Sequence, residues 1–163
     1  MSRQGLCSRA GFTLVETLIV LAISGIAATI GFGVMLSARP HALLEEADIR
    51  LAALLSQARN LSVSQEISTK VAFDLEANEF WIERQDRETE EWEVVGAPTA
   101  LPDGVQFAAE GITFPDGEVR FTTRGTLLSG GSITYSVSQT GETSTLQGNL
   151  ATGRFVPAGG NLR

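Results

Sequence analysis

From Phe12 to Leu36 the only formal charge is Glu16. At ~1.5 Å of rise per residue a helix needs about 20 apolar residues to cross a ~30 Å hydrocarbon core, so this run is long enough to span a bilayer. A carboxylate inside such a span costs roughly 2.5–3.5 kcal/mol on insertion scales. A side chain that expensive in lipid is functional by default and needs a counter-charge. The nearest one available to Glu16 is an α-amino group on Phe12, which exists only if the chain is cut after Gly11. An ordinary signal peptide fits less well, because its apolar region runs ~7–15 residues and ends at a small-residue cleavage site.

Arg3 and Arg9 precede the apolar run, and the positive-inside rule puts that end in the cytoplasm and the remainder across the membrane. Met1 to Gly11 reads as a short basic leader that contains Cys7, the one cysteine. Cleavage after Gly11 would leave no thiol chemistry and no disulfide, so cysteine usage does not identify the compartment. Formal net charge is −7, from 12 basic and 19 acidic residues, and losing Arg3 and Arg9 leaves ten against 19. Nucleic-acid binding normally rests on a basic patch, which this balance disfavours. A length of 163 residues suits one modest domain plus an anchor.

Gly25, Gly31 and Gly33 lie in the apolar run, and Pro40 follows it. In a membrane such glycines permit close helix contact or local unwinding, or serve simply as small residues of an anchor, and both readings stay open. From His41 to about Ser68 the pattern is amphipathic. Leu44, Ala47, Leu51, Leu54, Ala58 and Leu61 recur at spacings of three and four, the seam of a helical face that covers a sheet. Glu45, Asp48, Gln57 and Asn60 fall on other faces, and Glu46 stands four residues before Arg50 in the favourable orientation. Anchor and seam together predict one long helix with a break near Pro40.

After Thr69 the period becomes two. Val71 and Phe73, then Phe80 and Ile82, predict a hairpin turning at Ala77-Asn78. The charge run Asp86, Arg87, Glu88, Glu90 and Glu91 reads as a solvated loop, followed by a short strand at Trp92–Val95. Pro102-Asp103-Gly104 and Pro115-Asp116-Gly117 repeat one turn signal, in which Pro presets φ, Asp bonds locally and Gly permits positive φ. Further short strands are expected at Val105–Phe107, Ile112–Phe114, Val119–Phe121, Ile133–Val137, Thr145-Leu146 and Arg154–Val156. A helix followed by short antiparallel strands is an α+β unit.

Catalytic residue types are scarce. His41, the one histidine, sits beside Pro40 where a membrane-surface residue is the simpler reading. No Ser/His/Asp set, no His/Cys ligand cluster and no glycine-rich phosphate loop can be assembled, so neither an enzyme nor a cofactor is expected. Asp116 and Glu118 are the candidates for a loop-bound calcium ion, although turn formation explains Asp116 without one and no metal is expected.

Gly11-Phe12-Thr13-Leu14-Val15-Glu16 with the apolar run behind it resembles the prepilin signature of type IV pilins and type II secretion pseudopilins. The resemblance implies that a prepilin peptidase of the inner membrane cuts after Gly11 and methylates Phe12. It implies too that Glu16 pairs with the N-terminus of a neighbouring subunit during assembly. The run Leu51–Asn60 followed by Lys70-Val71-Ala72-Phe73-Asp74 is similar to the GspH/FimT group of minor pilins. So are Ile112–Gly117, Gly130–Thr134 and Thr152-Gly153-Arg154. That group's fold is a long N-terminal helix packed on a β-sandwich-like domain, which agrees with the residue pattern. Its GspH members are minor pseudopilins of the type II secretion system, near the pseudopilus tip. Some FimT members bind DNA through a basic Gly-Arg-x-Arg, of which Gly153-Arg154-Phe155-Val156 keeps only Arg154.

The resemblance therefore implies a leader over 1–11, a membrane and filament-core helix over 12–36, an amphipathic continuation over 37–68 and a periplasmic β domain over 69–163. The implied partners are the peptidase, major and minor pseudopilins, the inner membrane and secreted cargo. Nucleic acid is not expected. The leading expectation is a non-catalytic minor pseudopilin of the type II secretion system, with a FimT-like minor pilin of a type IV pilus or DNA-uptake system as the alternative.

Overall fold

The structure, a computed structural model, describes residues 13–158, with the side chains of all but residues 29–38. The chain divides into two compact units, Met1–Arg39 and Pro40–Arg163. One helix, α1, is assigned over Leu14–Gln65 with Pro40 inside it, so helical backbone continues through the position where a break was expected.

In the first unit α1 begins with a side-chain cap. The backbone N–H of Glu16 donates to Thr13 Oγ1 at 3.2 Å, which satisfies one of the donors every helix start leaves open. Beyond it, Leu14, Val15, Leu18, Ile19, Val20, Leu21, Ile23 and Ile26 are all exposed. Apolar side chains thus cover every face of this part of the helix. Among the described residues no helix is long and apolar enough to cross a membrane. Within the expected span of 12–36, the described side chains cover only 13–28, short of the about 20 residues a bilayer requires.

In the second unit the seam is where the apolar spacing put it. Leu44, Ala47, Leu51, Leu54 and Ala58 are buried, Leu61 is half-buried, and Leu55 joins them. The helix ends at Gln65, three residues before Ser68. Glu66 takes φ 51° and the N–H of Ile67 donates to Ser62 O at 3.2 Å, the left-handed C-terminal closure that satisfies a carbonyl of the last turn. Thr69 is buried one turn later, its hydroxyl donating to Ala58 O at 2.9 Å, and this bond fixes how the first strand leaves the helix.

Eight strands follow: β1 Thr69–Asp74, β2 Glu79–Gln85, β3 Trp92–Ala100, β4 Val105–Ile112, β5 Val119–Phe121, β6 Ser132–Val137, β7 Thr143–Asn149 and β8 Arg154–Pro157. They form two four-stranded sheets, ordered β3-β2-β1-β5 and β4-β6-β7-β8. Every pairing is antiparallel. Val71, Phe80, Ile82, Val119 and Phe121 of the first sheet and Phe107, Ile133, Tyr135 and Leu146 of the second share one core with the helix seam. The fold is α+β, an N-terminal helix packed on antiparallel sheets, as the sequence implied.

Two strands are longer than their sequence signals. β3 runs on past Val95 through Gly96 and Pro98, with a register shift between Phe80 and Ile82 on its partner β2. β4 runs from the expected strand at 105–107 on to Ile112, with a shift between Phe107 and Ile112, and takes in only the first residue of the strand expected at 112–114. Gly and Pro that read as strand ends lie in irregular stretches of edge strands, where a missing ladder bond costs little. The turn at Pro115-Asp116-Gly117 differs as well. Asp116 takes φ 60° beside Gly117 at 68°, so an aspartate shares the left-handed backbone expected of the glycine alone. Its carboxylate reaches Arg120 at 3.2 Å.

Candidate functional site

Two places on the chain carry candidate chemistry, one in each unit. In the first, Gly11 and Phe12 lie outside the described residues, so the cleavage and methylation positions expected there have no described geometry. Glu16 is exposed in the first turn of α1, where the positive end of the helix dipole favours a carboxylate. Thr13-x-x-Glu16 also has the spacing of a capping box, of which the structure shows the Thr13 half, the bond from the Glu16 N–H to the Thr13 hydroxyl.

In the second unit, Arg154 sits exposed at the start of β8 and lines a groove of about 310 Å³. Ala52, Ser56, Arg59 and Asn60 form its helix side, and Leu55 and Phe155 give it an apolar floor. Arg59 is the residue sequence reasoning did not single out. Its Nε donates to Gly125 O at 3.0 Å across 66 residues, a separation at which no periodicity signals a contact. Gly125 and Gly153 make that approach geometrically feasible. A Cβ on Gly125 would lie 3.2 Å from Arg59 Cγ, and one on Gly153 would lie 3.2 Å from Arg59 Cδ and inside the Gly125 carbonyl. Both glycines hold positive φ, 72° and 63°. The glycine of the Thr152-Gly153-Arg154 signature therefore serves packing, and it sets Arg154 beside Arg59.

Neither Arg59 nor Arg154 has a carboxylate within ion-pair distance among the described residues. The bases of the first sheet, by contrast, are committed. Lys70 bonds Glu118 at 2.7 Å and Glu83 at 3.0 Å, and stands 4.9 Å from the Trp92 ring centre. Burial pulls Lys70 down, but the hydrogen bonds and charges of Glu118 and Glu83 together outweigh it and raise the ammonium above its ordinary range. Burial likewise pushes Glu118 up, and the bonds from Lys70 and Arg120 outweigh it, so this carboxyl is held below its ordinary range. Asp116 and Glu118, the calcium candidates, are thus both engaged by Arg120, at 3.2 and 3.0 Å. Among the described residues no three His, Cys, Asp or Glu side chains converge as metal ligands.

Asp48 corrects the sequence reading. It was expected on a face away from the seam, yet it is half-buried and accepts hydrogen bonds from Tyr135 Oη and from Ser144 Oγ, the latter at 3.2 Å. The helix is tied to β6 and β7 through this carboxylate. Burial raises its pKa, the Ser144 bond opposes the rise, and Glu45 adds to it. His41 is exposed, with no catalytic arrangement described around it.

The fold is type IV pilin-like and follows a prepilin-type signature: residues 6–32 match the prokaryotic N-terminal methylation motif. Two solved proteins share the architecture. The minor pseudopilin EpsH of the Vibrio cholerae type 2 secretion system matches with TM-score 0.53 at 13% identity, over 69% of this chain and 96% of its own. The type IV minor pilin FimU of Pseudomonas aeruginosa matches with TM-score 0.54 at 17% identity, over 71% and 87%. No curated protein sequence matches the chain.

Proposed function

We propose that the protein is a minor pseudopilin of a type II secretion system, a non-catalytic subunit of the filament that helps export folded proteins across the outer membrane. One observation carries the reading. The methylation motif covers the start of a helix that exposes apolar side chains all round and carries one acid in its first turn, ahead of an EpsH-like domain.

The mechanism uses the chain's own residues. The leader 1–11 holds the precursor in the inner membrane with its N-terminus in the cytoplasm and its β domain in the periplasm. Cleavage after Gly11 by the prepilin peptidase exposes Phe12 as a charged terminus, which is then methylated. Glu16 supplies a counter-charge to the terminus of the neighbouring subunit, because an unpaired ion in lipid is costly. The apolar helices of several subunits then pack as a filament core, and the β domain is displayed outside to meet tip subunits and cargo.

The FimU likeness favours a second reading, a FimT-like minor pilin of a type IV pilus or DNA-uptake system. Gene deletion, scored in parallel for exoprotein secretion, pilus-dependent motility and transformation, separates the two. Loss of secretion alone is the expected result. Loss of motility or transformation with secretion intact would transfer the protein to the pilus. Mass spectrometry of the purified protein should find methylated Phe12 as the first residue, and an intact Met1 would exclude pilin processing altogether.

A further inference from the structure

The geometry points to the Arg59–Arg154 groove as a receptor for a carboxylate-bearing segment of a neighbouring pilin-like subunit. The inference rests on the filament-subunit reading above and names the contact chemistry of one face of the displayed domain.

Three observations carry it. The first is unspent charge. Arg50, Lys70, Arg84 and Arg120 are paired with acids of this chain. Arg39, Arg87 and Arg124 lack such a partner among the described residues but line no part of this groove, whereas Arg59 and Arg154, equally without one, share it. In a chain of net charge −7, two such guanidinium groups on one groove form a local reversal of sign. The second is preorganisation. The Arg59 stem lies against Gly125 and Gly153, and its Nε is fixed by the Gly125 carbonyl, while other N–H donors of its planar fork remain. A guanidinium already held in place loses less freedom on binding, and its fork matches a carboxylate in two-point fashion.

The third is the lining. Leu55 and Phe155 supply an apolar floor, and Ser56 and Asn60 supply neutral hydrogen-bonding groups at the helix rim. This mixture suits an acidic side chain carried on a peptide with apolar neighbours. Nucleic acid asks for something else, a basic track that follows successive phosphates, and this groove offers two cations on an acidic domain.

The test uses the full-length chain in its own cells, with a photo-crosslinking amino acid at Asn60 and a control at Glu76, both exposed. The expected adduct at Asn60 is a segment of another pilin-like subunit that contains an Asp or Glu. Its yield should fall about tenfold in Arg154→Glu and in Arg59→Gln, and stay near the original level in Arg154→Lys. Arg154 is exposed and its side chain anchors nothing in the core, so Arg154→Glu reads the charge rather than the fold. Exchanging the partner's acid for Arg should restore the adduct in Arg154→Glu. An adduct with nucleic acid, an adduct indifferent to both substitutions, or a yield no higher than at Glu76 would each overturn the inference. A partner from a type IV pilus would leave the groove assignment standing and remove the secretion reading. A secretion defect on deletion, with no acidic partner at the groove, would do the reverse.

Discussion

The carbonyl oxygen of Gly125 occupies the space in which a β-carbon on Gly153 would stand. Two turns far apart in sequence thus meet backbone to backbone beneath Arg59. For Gly153→Ala the left-handed φ costs roughly 1–2 kcal/mol. The clash with a carbonyl that no rotamer change can relieve adds about 1–3 kcal/mol. Gly141 has φ 71° and nothing within 4 Å, so Gly141→Ala should show the first cost alone. Urea unfolding of the full chain in detergent compares the two, and equal losses would remove the close approach from the account of the groove.

Lys70 and Glu118 set a stability window. Glu118 is held below its ordinary 4.5, so its contribution is present above that value and is lost as pH falls through the lowered one. Lys70 is raised above 10.5, so its contribution is present below that value and is lost as pH rises through the raised one. Glu118→Gln should cost about 1–3 kcal/mol at neutral pH, since Lys70 loses one of its acids. The gap from wild type should close in acid, and a gap constant down to pH 2 would refute the pairing account.

Asp48 has the opposite sign. Its folded pKa is raised, so its favourable contribution is complete below the ordinary 3.8 and is lost as pH rises through the folded value. Asp48→Asn keeps an acceptor for Tyr135 and Ser144 without a charge to desolvate. Relative to wild type, the variant should gain stability between acid and neutral pH. Thermal unfolding across that range checks the direction, and a relative loss would mean that the charged form is the better partner.

Glu16 and Thr13 can be separated although they share one cap. Thr13→Ala removes the hydroxyl that accepts the Glu16 N–H and should cost about 1 kcal/mol at the helix start. Glu16→Leu removes the proposed counter-charge, a term of roughly 2.5–3.5 kcal/mol, or about a hundredfold in the assembled fraction. Membrane fractionation and sheared-filament yield should show insertion intact and assembly lost for Glu16→Leu only. Equal defects in both variants would reduce Glu16 to a capping residue.

The helix seam from Leu44 to Ala58 was legible because each of its positions answers to a spacing of three or four, and burial follows that spacing. The hairpin at Asn78 was legible for the same kind of reason: Asp74 Oδ1 accepts the N–H groups of Glu76 and Ala77, both at 2.9 Å, a bond pattern local to the turn. Long-range polar contacts were not legible. Asp48 finds Tyr135 and Ser144, 87 and 96 residues on, and Arg59 finds Gly125, because the sheets bring them there. At the site, Arg154 was singled out through its signature, whereas Arg59 lay within the Leu51–Asn60 run with nothing in its spacing to announce the bond to Gly125.

The sheet edges have a consequence for life at high density. The outer strand β3 of the first sheet contains Pro98, which has no N–H to offer, and the outer strand β8 of the second ends in Pro157. The third outer strand, β4, shifts register in mid-course, and the fourth, β5, is three residues long. None of the four gives a stranger's backbone a long straight ladder to zip onto. Many such domains can therefore be crowded side by side along one fibre and still be told apart by side chains. Neighbours would then recognise one another selectively instead of fusing into a common sheet.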